Sequence, residues 1–420
     1  MDTKSNVSVN TTEIPTNITV TTDLSTLRNE EDSITMSIWH TLRFLSKFIG
    51  ILPFKMTYYL IKVAMESERG VNIDIVSRIF MRESTKLIDE NICQYVLNPI
   101  FEFIYKFEGN GISLINYSVP NDDLEQISGG IFDKPFVKST RTQSKFFWKR
   151  QINPHTFNPE IDPILIYYHG GGYALQLTPT TLSFLTNTGK YFPDMPILIS
   201  DYATTASKLD SNKYPRQLLD ILAVYDYVTQ SLGCKNVIVM GDSAGGNAVL
   251  VLLLYLHKHN RPLLPRKAIP ISPWLNTTYI GEQERTYMKQ SEKWDGICTK
   301  GSEMFGDLYI PKTLRESGYN PDNDEYINIE HNFDAETWNL ITEKCDLLVT
   351  YGDDEILSYQ IKLFVDKLIE CNPKRYNNVE NVLAHFQGCH TGPILAWDGN
   401  VESWSKQTMI KPILDFIDKA

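Results

Sequence analysis

Five short, nearly uninterrupted apolar runs set the strongest limit on how this chain can fold. They are ILIYYHG (164–170), PILISDY (196–202), NVIVMGD (236–242), KAIPISPW (267–274) and DLLVTYG (346–352). A strand with one face in water alternates apolar and polar residues, whereas a run that is apolar throughout needs both faces covered. Between the runs lie segments with helical patterning: YPRQLLDILAVYDYVTQSLG, AGGNAVLVLLLYLHKHN and ILSYQIKLFVDKLIE. Strand and helix in alternation predict an α/β fold, a mostly parallel central sheet with helices on both faces. The segment after Ser243 is apolar almost all round, from Val249 to Leu254, and reads as a centrally buried helix. Residues 275–340 break the alternation. They are polar, carry Tyr279, Tyr287, Trp294, Phe305 and Tyr309, and are too long for a connection, so they read as an inserted lid.

Residues 1–34 are rich in Thr, Asn, Ser and acidic side chains, lack apolar periodicity and read as a disordered tail. No basic stretch leading into an apolar core opens the chain, so no cleaved signal peptide is expected. Residues 35–110 read as N-terminal amphipathic helices, in which Ile38, Leu42, Leu45, Ile49 and Leu52 recur at helical spacing until Pro53 interrupts. A membrane span needs about 20 apolar residues with few charges. Lys47, Lys55 and Lys62 recur here, so residues 36–65 are expected to pack on the domain, lie on a membrane, or do both. Residues 111–420 are expected to form the main domain, with the lid at about 275–340. The balance of 40 basic against 51 acidic side chains, net −11 with no basic run, excludes a nucleic-acid partner. Six cysteines without CxxC spacing argue against a zinc site.

Gly241-Asp242-Ser243-Ala244-Gly245 is a G-x-S-x-G, a pattern that composition alone yields in about one chain in seven of this length. Context makes it more specific, because a strand precedes it and a helix follows, as a nucleophile elbow requires. The plainer alternative is a strand–helix turn that binds phosphate or simply packs tightly. His169-Gly170-Gly171-Gly172 ends another predicted strand, and a histidine followed by three glycines is expected in only about three chains per thousand. Such glycines let backbone N–H groups approach a ligand oxygen. Donors fixed in advance around the oxyanion of acyl transfer are worth about 2.7–4 kcal/mol each. Gly171, Gly172 and Ala244 are the candidate donors.

A serine nucleophile needs a base. Among the histidines that follow, His257 and His259 end a core helix and His331 falls in the lid. His385 lies within the strand NVLAHF. His390 sits just beyond it in the Gly-flanked QGCHTGP, at the strand's C-terminal end, the edge where open α/β sheets bind ligands. His390 is the expected base and His385 the alternative. Asp353, Asp354 and Glu355 follow the strand ending at Gly352, and any of them could orient the imidazole or serve as an ordinary helix-start acid.

HGGGY and GDSAGG, followed by an acid and then a histidine, resemble the hormone-sensitive-lipase branch of the α/β-hydrolases from about residue 111 to the end. YPRQLLDILAVYDYV and ISPWLN, behind a long N-terminal extension, are most similar to the fungal steryl acetyl hydrolases. The resemblance implies an α/β-hydrolase fold with a helical cap over an apolar site. It implies a serine carboxylic-ester hydrolase that deacetylates sterol or other lipid-alcohol acetates, associated with the endoplasmic reticulum membrane. That chemistry calls for no metal or organic cofactor. In this branch the acid reads Asp-x-Leu, and Glu355-Ile356-Leu357 occupies the pattern with Glu for Asp. Glu355 is thus the acid the resemblance implies, with Asp354 as the alternative. The chain departs from the branch at Ser358, Tyr359 and Gln360, and at Ala203, where the branch has an arginine. Two further readings stay open, an amidase or formamidase with the same triad and a silent binder of a hydrophobic small molecule. A cytoplasmic location is the alternative to the membrane, and nothing here sets the oligomeric state.

Overall fold

The computed structural model describes residues 34–66, 73–108, 114–118, 143–376, 383–396 and 398–419. All but the last residue of the expected N-terminal tail lie outside the described residues. The chain begins with helices α1 (Ile34–Gly50), α2 (Leu52–Glu66), α3 (Ile73–Thr85) and α4 (Asn98–Glu108). Strands β1 (Leu114–Ser118), β2 (Gln143–Arg150) and β3 (Ile164–Tyr168) follow, then α5 (Pro179–Tyr191), β4 (Ile197–Asp201), α6 (Arg216–Asp226), β5 (Val237–Asp242) and α7 (Ala244–Lys258). After β6 (Lys267–Ile271) come α8 (Glu282–Ser291), α9 (Thr299–Tyr309) and α10 (Ala335–Lys344). The chain closes with β7 (Asp346–Leu347), β8 (Val349–Gly352), α11 (Ser358–Cys371), β9 (Leu383–Phe386) and α12 (Lys411–Asp418).

The nine strands among the described residues form one sheet in the order β1-β2-β4-β3-β5-β6-β8-β9, with β7 beside β6. Only the β1–β2 and β2–β4 pairings are antiparallel. The five apolar runs all contribute strands, and the last is split at Leu348 into β7 and β8. Two cores explain their continuous hydrophobicity. Ile164, Ile166 and Tyr168 of β3 enter the core with α6, α7, α10 and α11, while Leu165 and Tyr167 enter the core with α5 and α12. Val237 and Val239 of β5 alternate with Ile238 and Met240 in the same way. This is the period of two expected of a pleated strand, with both faces buried. Every residue of α7 from Ala244 to Leu256 is buried.

Register sets where the loops emerge. Tyr168 pairs with Gly241, so the chain leaves β3 and β5 at neighbouring points of the sheet's carboxyl edge. Gly352 pairs with Phe386, so β8 and β9 also end level. At the first crossing α7 comes so close to β3 that a Cβ on Gly245 would lie 1.9 Å from the Tyr168 carbonyl oxygen.

The stripe on α1 is not its packing face: Ile38, Leu42, Leu45 and Ile49 are exposed, and only Leu52, which opens α2, is buried. The helix carries apolar groups on two sides and docks through the other one. There His40 stacks on Tyr95 at 5.2 Å and Phe44 packs on Ile92, Tyr95 and Val96. On α2, Met56, Tyr59 and Leu60 pack on Ile75 and Ile79 of α3, leaving Phe54 77% and Met65 82% exposed. No helix among the described residues is long and apolar enough to cross a membrane.

Replacing Gly245 with alanine puts a methyl group onto backbone that cannot yield, and overpacking of this kind costs about 1–3 kcal/mol. Denaturant unfolding should show Gly245→Ala lowering stability by that amount. Gly50→Ala, which meets nothing within 4 Å, should stay within about 0.5 kcal/mol of the parent.

Candidate active site

Ser243 sits at φ 55° and ψ −116°, a strained conformation for a residue with a side chain, between β5 and α7. Its N–H donates to Ile271 O (2.9 Å), and its carbonyl accepts from the N–H groups of Asn247 and Trp274, both at 3.0 Å. The strain is therefore held by β6, by the segment after it and by the first turn of α7. That helix begins immediately after the hydroxyl, so its positive end faces any charge developing there.

The HGGG segment leaves β3 beside this turn. Gly171 (φ 103°) and Gly172 (φ 60°) adopt left-handed backbone that only glycine takes up without strain. Asp242, next to Ser243, ties the two loops: its Oδ1 accepts from Gly170 N (2.9 Å) and from the Tyr167 hydroxyl (2.6 Å). Burial raises the Asp242 pKa, opposed by those two donors and by nearby His390. Tyr173 donates to Asn247 Oδ1 (2.7 Å), fastening the glycine loop to α7. The N–H groups of Gly171, Gly172 and Ala244 donate to no protein acceptor among the described residues. His169 is engaged by its neighbours in the fold. Its ring stacks on Tyr202 at 4.2 Å, its Nδ1 lies 2.8 Å from Gly170 O, and burial lowers its pKa to about 4.

Glu355 and His390 meet in a buried site. Nδ1 of the imidazole lies 3.5 Å from Oε2 of Glu355, and neither atom has another hydrogen-bonding partner among the described residues. Burial favours the neutral imidazole. The adjacent Glu355 carboxylate, with Asp295 and Asp242 behind it, outweighs that effect and raises the His390 pKa above 6.5. Asp354 is turned elsewhere: its Oδ2 takes a hydrogen bond from Arg78 Nη1 of α3 at 3.0 Å. Asp353 is exposed. The backbone of His385 pairs with Tyr351 in the body of the sheet, and its side chain lies outside the described residues. His257 ends α7, His259 stacks on Tyr255 at 4.2 Å and His331 on Tyr279 at 3.7 Å.

Ser243, His390, Gly171 and Gly172 line one cavity of about 180 Å³. Residues 275–340 contribute Ile297, Gly301, Ser302 and Phe305 to it, and the N-terminal layer contributes Met81, Thr85 and Ile88. Tyr309, Tyr287 and Trp294 of 275–340 pack elsewhere. Tyr309 stacks on Tyr173, the Tyr287 hydroxyl lies 2.8 Å from Ser358 Oγ, and Trp294 packs with α2 and α3. Large side chains in a thin insertion find burial against the body sooner than over a cavity. A larger recess, about 850 Å³, opens at the opposite edge of the sheet beside Pro163, Pro196, Asn236 and Lys267, and holds none of these groups. Among the described residues no cluster of His, Cys, Asp or Glu could hold a metal ion.

Two residues escaped the sequence reading. Asp242 lay inside the motif without a role of its own, although a charge between two predicted buried elements is a signal that it must be hydrogen-bonded. Asp295, in KWDGI, reads as a plain Asp-Gly turn. In the structure it is fully buried and accepts backbone hydrogen bonds from Gly296, Ile356 and His390.

The steryl acetyl hydrolase family model matches residues 42–416. Steryl acetyl hydrolase 1 of Saccharomyces cerevisiae is 40% identical over 393 residues, spanning 92% of this chain and 90% of that protein. Among solved structures, fungal esterases from Rhizomucor miehei superpose with a TM-score of 0.53 at 14% identity, over 86% of this chain and 95% of theirs. A thermostable esterase from Pseudomonas putida gives 0.51 at 15%, over 80% and 93%. These likenesses establish the α/β-hydrolase fold. The chain belongs to the steryl acetyl hydrolase family, and with it to the carboxylic ester hydrolases.

Proposed function

We propose that the protein removes a short acyl group, acetyl above all, from a sterol or similar lipid alcohol. Ser243 is the nucleophile, His390 the base, Glu355 the acid that orients the imidazole, and the N–H groups of Gly171, Gly172 and Ala244 the oxyanion donors. One observation carries this reading: a strained serine, an imidazole and two glycines with unspent N–H groups border the same cavity. The Ser243 oxygen attacks the ester carbonyl carbon while its proton passes to Nε2 of His390. The resulting oxyanion is held by the three N–H groups, the imidazolium protonates the departing alcohol, and an acyl-serine is left. Water then attacks by the same route, releasing the carboxylic acid and restoring the hydroxyl. The Glu355–His390 contact, 3.5 Å, shortens as positive charge builds on the ring.

The substrate class follows from size and from kinship. About 180 Å³ lies below the ~300–1,000 Å³ of pockets that enclose drug-sized ligands, so the cavity suits an acetyl ester but not a whole sterol. The alcohol's body then extends outward past Met81, Thr85 and Ile88. The name of the Saccharomyces cerevisiae relative supports the sterol acetate. In this scheme residues 35–110 and the 275–340 insertion cap a catalytic domain of residues 111–420. Residues 36–65 rest on a membrane, supported by the outward Trp39, Leu42, Ile49, Phe54 and Met65 with Lys47 and Lys62 among them. Placing that membrane at the endoplasmic reticulum rests on family resemblance alone.

Ser243→Ala should abolish hydrolysis of p-nitrophenyl acetate with its unfolding midpoint retained, and the wild-type rate should fall along acetate, butyrate and decanoate esters. A wild-type rate that rises with chain length would contradict the small acyl site, and turnover of anilides at the rate of esters would favour an amidase.

Only the neutral imidazole accepts a proton, so kcat/KM should rise with pH through a midpoint above 6.5. Glu355→Gln should lower kcat by about 10⁴-fold, as loss of the orienting acid does elsewhere, and move that midpoint down. Asp354→Asn should cost less than tenfold. Cosedimentation with phosphatidylcholine–phosphatidylserine vesicles should fall sharply when Trp39, Phe54 and Met65 are replaced together by serine.

A further inference from the structure

We infer that Asp295 is the positioning residue that holds the proposed acid and base in register. This rests on the reading of Glu355 and His390 given above and adds to it the element that fixes their backbones. The two loops are first joined by main-chain hydrogen bonds, from Asp353 N to Phe386 O and from Asp354 N to Gly388 O, both 2.9 Å. That pairing stops one residue short of Glu355 and two short of His390. Beyond it, the Asp295 carboxylate takes over. Its Oδ2 accepts the N–H of Ile356, the residue after Glu355, at 2.7 Å. Its Oδ1 accepts the N–H of His390 itself at 2.8 Å and that of Gly296 at 2.6 Å.

A charged acceptor with three backbone donors makes stronger and shorter bonds than a neutral one. Both oxygens are occupied by main-chain donors, which leaves Asp295 committed to the loops while Glu355 keeps the imidazole nitrogen. The next backbone N–H along, Thr391, donates to Ser272 Oγ at 3.0 Å, so the histidine is held on both sides of its Cα. Asp295 is itself anchored from the N-terminal layer. Arg78 Nη1 donates to Trp294 O (3.3 Å), and Arg82 Nη1 donates to Glu292 O (3.0 Å) and Lys293 O (2.8 Å). A residue of the 275–340 insertion thus fixes two loops of the α/β domain while resting on α3. The charged and titratable groups facing Asp295 are His390 and Glu355, with Cys389 and Arg78 beside them, and burial next to Glu355 raises its pKa to about 6.

The test is steady-state hydrolysis of p-nitrophenyl acetate by the full chain and its Asp295→Asn, Asp295→Glu and Ser243→Ala variants, each with a pH profile. Asparagine turns one acceptor into a donor facing an N–H. Asp295→Asn should therefore lose about 100-fold in kcat, the scale of an ångström-sized misplacement, with KM within about twofold. It should also move the acid limb of kcat/KM to lower pH, because a negative charge near His390 is gone. Asp295→Glu keeps the charge but shifts it by a methylene, so kcat should fall by tenfold or more while the acid limb stays in place. It also serves as the reading if Asp295→Asn does not fold. Wild-type kcat and an unmoved acid limb in either folded variant, even with a lower melting temperature, would overturn the assignment and leave Asp295 a stabilising contact only. Full activity of Ser243→Ala would instead sink the reading of the site, a separate failure.

Discussion

The site is built on how closely backbone can approach backbone where β3, β5 and α7 cross. Gly245 rests against the Tyr168 carbonyl, and no residue with a Cβ can take its place without moving the helix. That approach brings the end of α7 under the serine and sets the glycine loop beside it. Asp242 then binds the two, with one carboxylate oxygen serving Tyr167 and Gly170 together. The N–H groups of Gly171, Gly172 and Ala244 are left without a protein acceptor among the described residues because their backbones are occupied with positive φ or a helix start rather than with each other. The strain at Ser243 is tolerated because the packing around it is over-determined.

Electrostatics at the second half of the site comes from crowding acids around one imidazole. Glu355, Asp295 and Asp242 are all buried, and His390 is the group between them that can carry a positive charge. Burial by itself would keep the ring neutral, whereas the surrounding carboxylates favour its protonated form. The balance lies on the side of the charge, which is the state the proposed base must reach in mid-reaction. N–H and O–H donors oppose the effect of burial on Asp295 and Asp242, which by itself disfavours their anionic forms. Among the described residues Glu355 has no such donors and faces the imidazole alone.

The N-terminal layer is part of this machinery. Helix α3 and the turn after it line the cavity through Met81, Thr85 and Ile88, while Arg78 and Arg82 hold the chain at 292–294 and Arg78 also pairs with Asp354. The same layer turns Trp39, Phe54 and Met65 to the outside. An apolar exterior and the wall of an ester-sized cavity therefore belong to one set of helices, an arrangement suited to a substrate with low solubility in water.

Much of this was legible in the chain itself, because the signals were local. Continuous apolar runs specify strands covered on both faces, and a serine flanked by small residues between a strand and an apolar helix specifies the elbow. A triple glycine specifies backbone brought close to something. What the sequence left open turns on contacts between segments far apart. Asp353, Asp354 and Glu355 are equivalent as chemistry, and a turn can aim any of them. The packing of α3 gives Arg78 to Asp354, and the β8–β9 register carries Glu355 to His390. Periodicity on α1 marked an apolar face but not what that face meets, since a helix with two apolar sides can dock by either. Asp295 had no local signature, because a buried carboxylate is defined by donors 61 and 95 residues away. Sequence determines which backbone shapes and buried faces are possible, while long-range packing decides which charged groups are brought together, since their cost or benefit depends on burial that no short stretch of chain contains.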